Sequence, residues 1–287
     1  MYRTLASKLD KSKNFIFPFG KGNLECRFVQ RRPDYFACYL SSHSGCKMGC
    51  KYCYLTQQNQ TYFDHATTAK YMEQFKLVLD YYDRAETPVE KIHINFMARG
   101  EPLANKTIIN NYSELYQQFK QECIQRNLLM KVNISTIMPH IMKHHSLPKI
   151  LGNWPNTRIY YSLYSTEDAF RKKWMPGAAD YRIALEKLKE FENATGNEVH
   201  IHFALIEGEN DDLDMIRKMA EILRKYDFNG KFNLVRYNSF ESRVGRESKH
   251  IDEILSIMSS AFRKQSKIIP RVGQDVFASC GMFIKDE

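Results

Sequence analysis

Six short runs rich in β-branched and aromatic residues recur along the chain, and each is followed by a stretch with helical periodicity. The runs fall at 36–42 (FACYLSS), 91–98 (KIHINFMA), 129–136 (LMKVNIST), 158–165 (RIYYSLYS), 198–206 (EVHIHFALI) and 231–237 (KFNLVRY). The helical patterns lie at 67–83, 106–126, 139–150, 167–173 with 180–193, 211–226 and 249–264, and KIIPR at 267–271 reads as a last short strand. Strand and helix in strict alternation predict an α/β fold with a parallel sheet and right-handed crossovers. A doubly wound sheet and an open (β/α)6 barrel satisfy the pattern equally. In both, ligands bind at the C-terminal ends of the strands.

Polar or glycine-rich signals stand at those ends. A cysteine cluster follows the first run, and Arg99-Gly100-Glu101-Pro102 the second. Ser135-Thr136, Ser162 to Ser165, Glu207-Gly208 and Asn238-Ser239 end the next four. The rest of the composition narrows the class. No apolar run nears the roughly 18 residues that span a bilayer, and MYRTLASKLDKSKNFIFPFGKG has no apolar signal-peptide core, so a cytoplasmic location is expected. The formal charge of +9 suits a polyanion such as nucleic acid, or describes a basic soluble protein and no more. Seventeen Tyr and eighteen Phe permit base stacking, but most aromatics in a chain of this size pack in the core.

Of seven cysteines, three stand in SGCKMGCKYCYL at C-x3-C-x2-C spacing: Cys46, Cys50 and Cys53. Clustered thiols in a chain without a leader read as ligands before disulfides. Three thiolates in one loop can hold three irons of a [4Fe–4S] cubane and leave the fourth open. Gly45 and Gly49 give the loop its freedom. The alternative is a zinc site, for which His43 would be the fourth ligand. Cys123, inside a helical pattern, reads as a packing residue.

The spacing, with Tyr52 before the last cysteine, resembles the radical-SAM superfamily, and the GEP triplet of FMARGEPL resembles the segment that superfamily places near the amino group of S-adenosylmethionine (SAM). SSHSGCKMGCKYC, FMARGEPLAN, NISTIMP, YSLYSTEDAFRKKWMP, NLVRYNSF and FASCGMF, in that order, are similar to the radical-SAM adenosine methyltransferases of the RlmN and Cfr type. The likeness runs from about residue 24 to the end. It implies a partial (β/α)6 barrel over 24–287, with residues 1–23 as an N-terminal extension and a catalytic C-terminal tail. It implies an enzyme that methylates C2 or C8 of adenine in ribosomal or transfer RNA. A monomer using a [4Fe–4S] cluster, two SAM per turnover and an electron donor such as flavodoxin is expected. In that family a cysteine is first methylated, a SAM-derived radical takes a hydrogen atom from the methyl group, and the resulting methylene radical bonds the ring; a second thiolate then releases product by closing a disulfide.

Carried over residue by residue, Cys280 stands at the methyl-accepting position, Cys38 near the resolving one, and Glu25 at a glutamate proposed as proton acceptor. The SAM contacts fall on Gly100, Glu101, Ser135, Ser162, Tyr164 and Asn238. The chain departs from the pattern in four places. Cys38 lies eight residues before Cys46 rather than seven, so either a bulge restores its register or it is a core residue. Tyr164 replaces a histidine, Arg99 replaces a small or apolar residue and should alter the charge near the substrate, and the family's N-terminal accessory domain has no counterpart ahead of the matched region. A radical-SAM enzyme acting on a peptide or small molecule is the alternative.

Overall fold

The computed structural model describes residues 2–84, 88–241 and 244–286. Its framework is a ten-stranded sheet in which every strand pairs with its neighbours in sequence. Strands β4 (Tyr35–Tyr39), β5 (Lys91–Phe96), β6 (Leu129–Thr136), β7 (Thr157–Ser162), β8 (Val199–Ala204), β9 (Phe232–Val235) and β10 (Lys267–Ile269) are mutually parallel. These are the six predicted runs and the short terminal strand. Helices α1 (Tyr54–Gln57), α2 (Thr68–Tyr82), α3 (Lys106–Gln125), α4 (Leu147–Leu151), α5 (Asp168–Trp174), α6 (Tyr181–Thr195), α7 (Leu213–Tyr226) and α8 (Ile251–Ser259) occupy the connections. Asn105, Asp180 and Asp212 cap α3, α6 and α7 with side-chain oxygens that accept backbone N–H groups, each worth about 1 kcal/mol.

The alternation of side chains explains the architecture. On β6, Val132 and Ile134 are buried beneath the helices, while Lys131, Asn133 and Ser135 face a central cavity. On β8, Val199 and Ile201 face out and His200 and His202 face in. One face of each strand is thus apolar and covered, the other polar and turned inward. Inward residues from β4 through β10 line the same cavity, so the sheet is curved into an open barrel.

The stretch expected as an N-terminal extension belongs to the sheet. Strands β1 (Arg3–Ala6), β2 (Lys13–Phe19) and β3 (Gly22–Arg32) form an antiparallel meander joined to β4, and the boundary at 23/24 falls within β3. Its charged residues concealed it: Glu25 and Arg27 alternate with Leu24, Cys26 and Phe28, yet all five are buried. The gap between β10 and this meander is bridged by the C-terminal segment. Ser7 Oγ donates to Asp275, the Gly273 N–H donates to Asp10 (2.7 Å), and Asn14 Nδ2 donates to the Val276 carbonyl (3.1 Å).

Candidate functional site

The cavity has a volume of about 600 Å³. The loop after β4 forms one wall and brings Cys46, Cys50 and Cys53 to the lining. Backbone bonds pin it: Ser42 N–H to the Arg99 carbonyl (2.7 Å), Cys46 N–H to that of Gln60 (3.0 Å), and Lys51 N–H to that of Trp174 (3.0 Å). Gly49 has φ +70°, and a Cβ at Gly45 would sit 2.5 Å from the Gln60 carbonyl oxygen, so the loop requires both glycines. His43 does not join the thiols. Its Nε2 lies 3.2 Å from Nδ1 of His65 and its ring stacks on Phe63 at 3.9 Å. Among the described residues no three His, Cys, Asp or Glu side chains converge on a single-ion site. The donor set, three soft thiols on one loop facing open space, fits a multinuclear iron–sulfur cluster with one thiolate per iron.

Gly100 and Glu101 follow β5 at the cavity wall. Gly100 has φ +91°, and a Cβ there would meet His43 Nδ1 at 2.5 Å. Glu101 accepts the N–H groups of Leu103 and Ile137, each at 3.0 Å. Burial raises its pKa to about 7, against the hydrogen bonds from Thr136, Ile137 and Leu103. A cationic ligand group arriving there would restore its charge. Ser135 and Ser162, on adjacent strands, each place Oγ 2.9 Å from Nε2 of His202. His202 is held neutral by burial, its pKa lowered to about 3. Tyr164 adopts φ +57° and stacks on Tyr52 at 4.1 Å, near Cys50, Cys53 and Cys280. Asn238 is engaged by protein: its Nδ2 donates to the Cys280 carbonyl (2.9 Å), and its Oδ1 accepts from Arg271 Nε (3.0 Å). Its observed part is to hold the tail.

That tail carries Cys280 to the cavity, where the residue is exposed. The surrounding protein raises its thiol pKa, and Arg27 and Arg31 oppose that shift. Tyr54 N–H donates to the Gly281 carbonyl (2.9 Å), fastening the tail to the residue after Cys53. Beyond it, Arg27 donates to the Met282 carbonyl (2.8 Å). Arg99 donates to the Ile284 carbonyl (2.9 Å) and pairs with Asp286 (2.9 Å). The same guanidinium reaches the Ser44 carbonyl (3.0 Å) and Gln60 Oε1 (2.8 Å) of the cluster loop. Arg99 is fully buried and ties the cysteine loop to the cysteine tail; it does not alter the charge of an open substrate site, as its sequence position led us to expect.

Two expected catalytic residues, Glu25 and Cys38, lie off the cavity lining. Glu25 is fully buried and takes Arg99 Nε (2.8 Å), Arg27 (3.0 Å), Asn14 Nδ2 (2.8 Å) and the Ile284 N–H (3.1 Å). Burial alone would raise its pKa, but Arg99 and Arg27 hold it below the usual range. A carboxylate so saturated is a structural anion and a poor proton acceptor. Cys38 is also misplaced for its expected part. It pairs with Ile94 in the β4–β5 register and packs with Phe36 and Leu40 in the core, whereas Ala37 and Tyr39 face the cavity. The register shift in the β3–β4 pair lies between Val29 and Arg32, away from the Phe28–Cys38 pair, and does not turn it inward. Burial, with Cys26 and Cys123 nearby, raises its thiol pKa well above the ordinary value.

Arg27, Gln60, His202 and Asp286 were missed by sequence reading. Only His202 left a signal, as an inward position in the alternation of EVHIHFALI. A family model described as "Radical SAM superfamily" matches residues 40–223. A Clostridium botulinum (strain Alaska E43) protein named "Probable dual-specificity RNA methyltransferase RlmN" is 25% identical over 281 residues, covering 96% of this chain and 76% of its own. A Vesicomyosocius okutanii protein named "Dual-specificity RNA methyltransferase RlmN" is 26% identical, covering 95% and 74%. A crystal structure of a radical SAM methyltransferase from Sphaerobacter thermophilus superposes with TM-score 0.78 at 18% identity, covering 98% of this chain and 79% of that one, a likeness of fold. No helix among the described residues is long and apolar enough to cross a membrane.

Proposed function

The chain belongs to the radical SAM superfamily, which implies SAM and an iron–sulfur cluster, and we propose that it methylates C2 or C8 of an adenine in RNA through an S-methylcysteine on Cys280. The observation that carries this reading is the position of Cys280: an exposed thiol on the wall of the cavity that Cys46, Cys50 and Cys53 also line. In this reading those three residues hold a [4Fe–4S] cluster, which supplies the electron that cleaves SAM to a carbon-centred radical.

The remaining work falls to the protein. Glu101 accepts hydrogen bonds from the SAM ammonium, and Gly100 lets the chain pass close to it. Ser135 and Ser162, aligned by the neutral His202, present hydroxyls at the strand ends. Tyr52 and Tyr164 form an aromatic floor beside the cluster. Cys280 accepts a methyl group from one SAM as its thiolate, then gives up a hydrogen atom to the radical from a second, and its carbon bonds the ring; the adduct would then lose one electron and its ring proton, and a low-molecular-weight thiolate would attack the Cys280 sulfur, leaving a mixed disulfide while the electron pair of the broken S–CH2 bond takes up a proton to give the methyl group. Asn238, Arg27 and Arg99 fix the backbone of the tail on which this depends. The names of the RlmN relatives and the basic charge support RNA as substrate.

Mass spectrometry of the protein made with a full cluster and SAM tests the reading. S-methylation at Cys280 is expected, together with 2- or 8-methyladenosine in digested RNA from cells that carry the protein. An unmodified Cys280 sinks the mechanism, and methyl groups elsewhere on the RNA sink the choice of carbon. Replacing Cys38 with alanine should change methylation by less than twofold; a Cys38–Cys280 disulfide trapped during turnover would restore its resolving role.

A further inference from the structure

The far end of the cavity, at the N-terminal ends of the parallel strands, is cationic. Lys91 opens β5, Lys131 and Arg158 lie near the starts of β6 and β7, Lys231 immediately precedes β9, and Lys267 opens β10; all five line the cavity. They stand on five strands and are therefore brought together only by closure of the barrel. Arg31 of β3 completes the arc, and its buried Nε has no hydrogen-bond partner.

Anions at this end are few and already engaged, Glu90 among them at 3.4 Å from Lys91. Asp34 lies 3.8 Å from Lys91 and 3.2 Å from Arg32. Glu198 is shared by Arg158 (2.9 Å), His200 (3.2 Å) and Lys264. Among the described residues, Lys131, Lys231 and Lys267 have no carboxylate within ion-pair distance. Burial lowers the pKa of all three; neighbouring cations add to the shift, unopposed at Lys267 and against the pull of Glu198 at Lys131 and Lys231. A fold tolerates such crowding where something else supplies the counter-charge.

The layer above is polar and incompletely satisfied. Asn233 is 2% exposed, its Oδ1 has no hydrogen-bond partner, and its register sets it beside Lys267 on β10. Asn133, 4% exposed, likewise has a free Oδ1 and lies beside Arg158 on β7. Two buried amides with unpartnered oxygens thus line the cavity among these cations. Amide oxygens require donors and the floor requires an anion, and a protonated phosphate carries both.

The geometry points to a binding site for a small phosphate compound, bearing two or more negative charges, at the strand-start end of the barrel. It is separate from the cysteine end and does not depend on the methylation reading. Lysines on several strands, free of protein carboxylates, meet a multiply charged anion as point charges. The enclosing barrel selects a compact ligand.

The probe is inorganic pyrophosphate, titrated calorimetrically into cluster-containing protein without SAM or RNA, with ionic strength held constant by sodium chloride. Saturable one-site binding is expected, weakened at least tenfold in Lys131→Gln/Lys231→Gln, with cluster absorbance and circular dichroism unchanged. If that double variant does not fold, Lys267→Gln, at an exposed position on the last strand, should weaken binding at least threefold. Absence of saturable binding to the unaltered protein, or a smaller loss than these in the variant used, overturns the site.

Discussion

Arg99 and Lys231 are both cations held inside the fold, and their surroundings are opposite. Arg99, at the cysteine end, has Glu25, Asp286, Gln60 and two carbonyls around it, and its charge joins loop to tail. Lys231, at the other end, has no carboxylate within ion-pair distance among the described residues; Glu198 attracts it from further off, and Arg158 and Lys264 repel it. The first charge is consumed in making structure. The second is left over by structure, and leftover charge inside a cavity is a means of recognition. Buried charge by itself therefore does not mark a functional group; the number of its partners does.

The comparison breaks first at Arg99. Arg99→Met leaves Glu25 buried with one guanidinium fewer, and breaking a buried pair costs about 3–5 kcal/mol. Denaturant unfolding should show that loss, and Glu25→Met in the same chain should restore part of it. Equal stability of Arg99→Met and the parent would mean that the network holds nothing.

Acid sharpens the contrast between the buried neutral bases and Glu25. His202 has a folded pKa of about 3, below its unfolded value of 6.5. Its contribution is complete above 6.5 and is lost as pH falls toward 3. Between pH 7 and 5 that amounts to about 2 kcal/mol. Glu25, also depressed, contributes above its unfolded value of 4.5 and does not enter this window. His202→Gln should therefore flatten the decline in stability from pH 7 to 5 by about 2 kcal/mol, read from denaturant midpoints. An unchanged slope would show that His202 is not the titrating group.

The smallest effect is at the barrel floor. Lys267→Met relieves repulsion from Lys231, Arg31 and Arg32 and should stabilise the ligand-free protein by about 0.5 kcal/mol, as for facing like charges on a sheet. The gain should shrink in high salt. Destabilisation instead would place Lys267 in an ion pair and erase the difference between the floor cations and Arg99.

Much of this protein was legible in its sequence. All seven parallel strands lie where apolar period and length placed them, because a strand covered on one face and polar on the other leaves a period-two signature. The cysteine loop was legible because three thiols and two glycines must be close in sequence to share one turn. The cavity-lining positions Gly100, Glu101, Ser135 and Ser162 stand at or just after strand ends, where the alternating pattern places a ligand site. Residues 3–32 were illegible as strands because Glu25 and Arg27 look solvent-facing until Arg99, 74 residues after Glu25, supplies its counter-charge and the Met282 carbonyl, 255 residues after Arg27, accepts its hydrogen bond. Cys38 shows the same limit at one residue's scale. The sequence places it near a thiol's expected position, but strand register decides which side of the sheet it faces, and a shift of one residue reverses that side.

The chain's order of residues by itself determined the alternating strands and helices, the cysteine loop and the glycines that shape it. These depend on contacts within a few residues. Only the tertiary structure decided that Cys280 meets the loop, that Cys38 does not, that Glu25 is a tether, and that lysines from separate strands share one floor. Those outcomes depend on barrel closure and register, which bring together charges distant in sequence and so leave no local pattern.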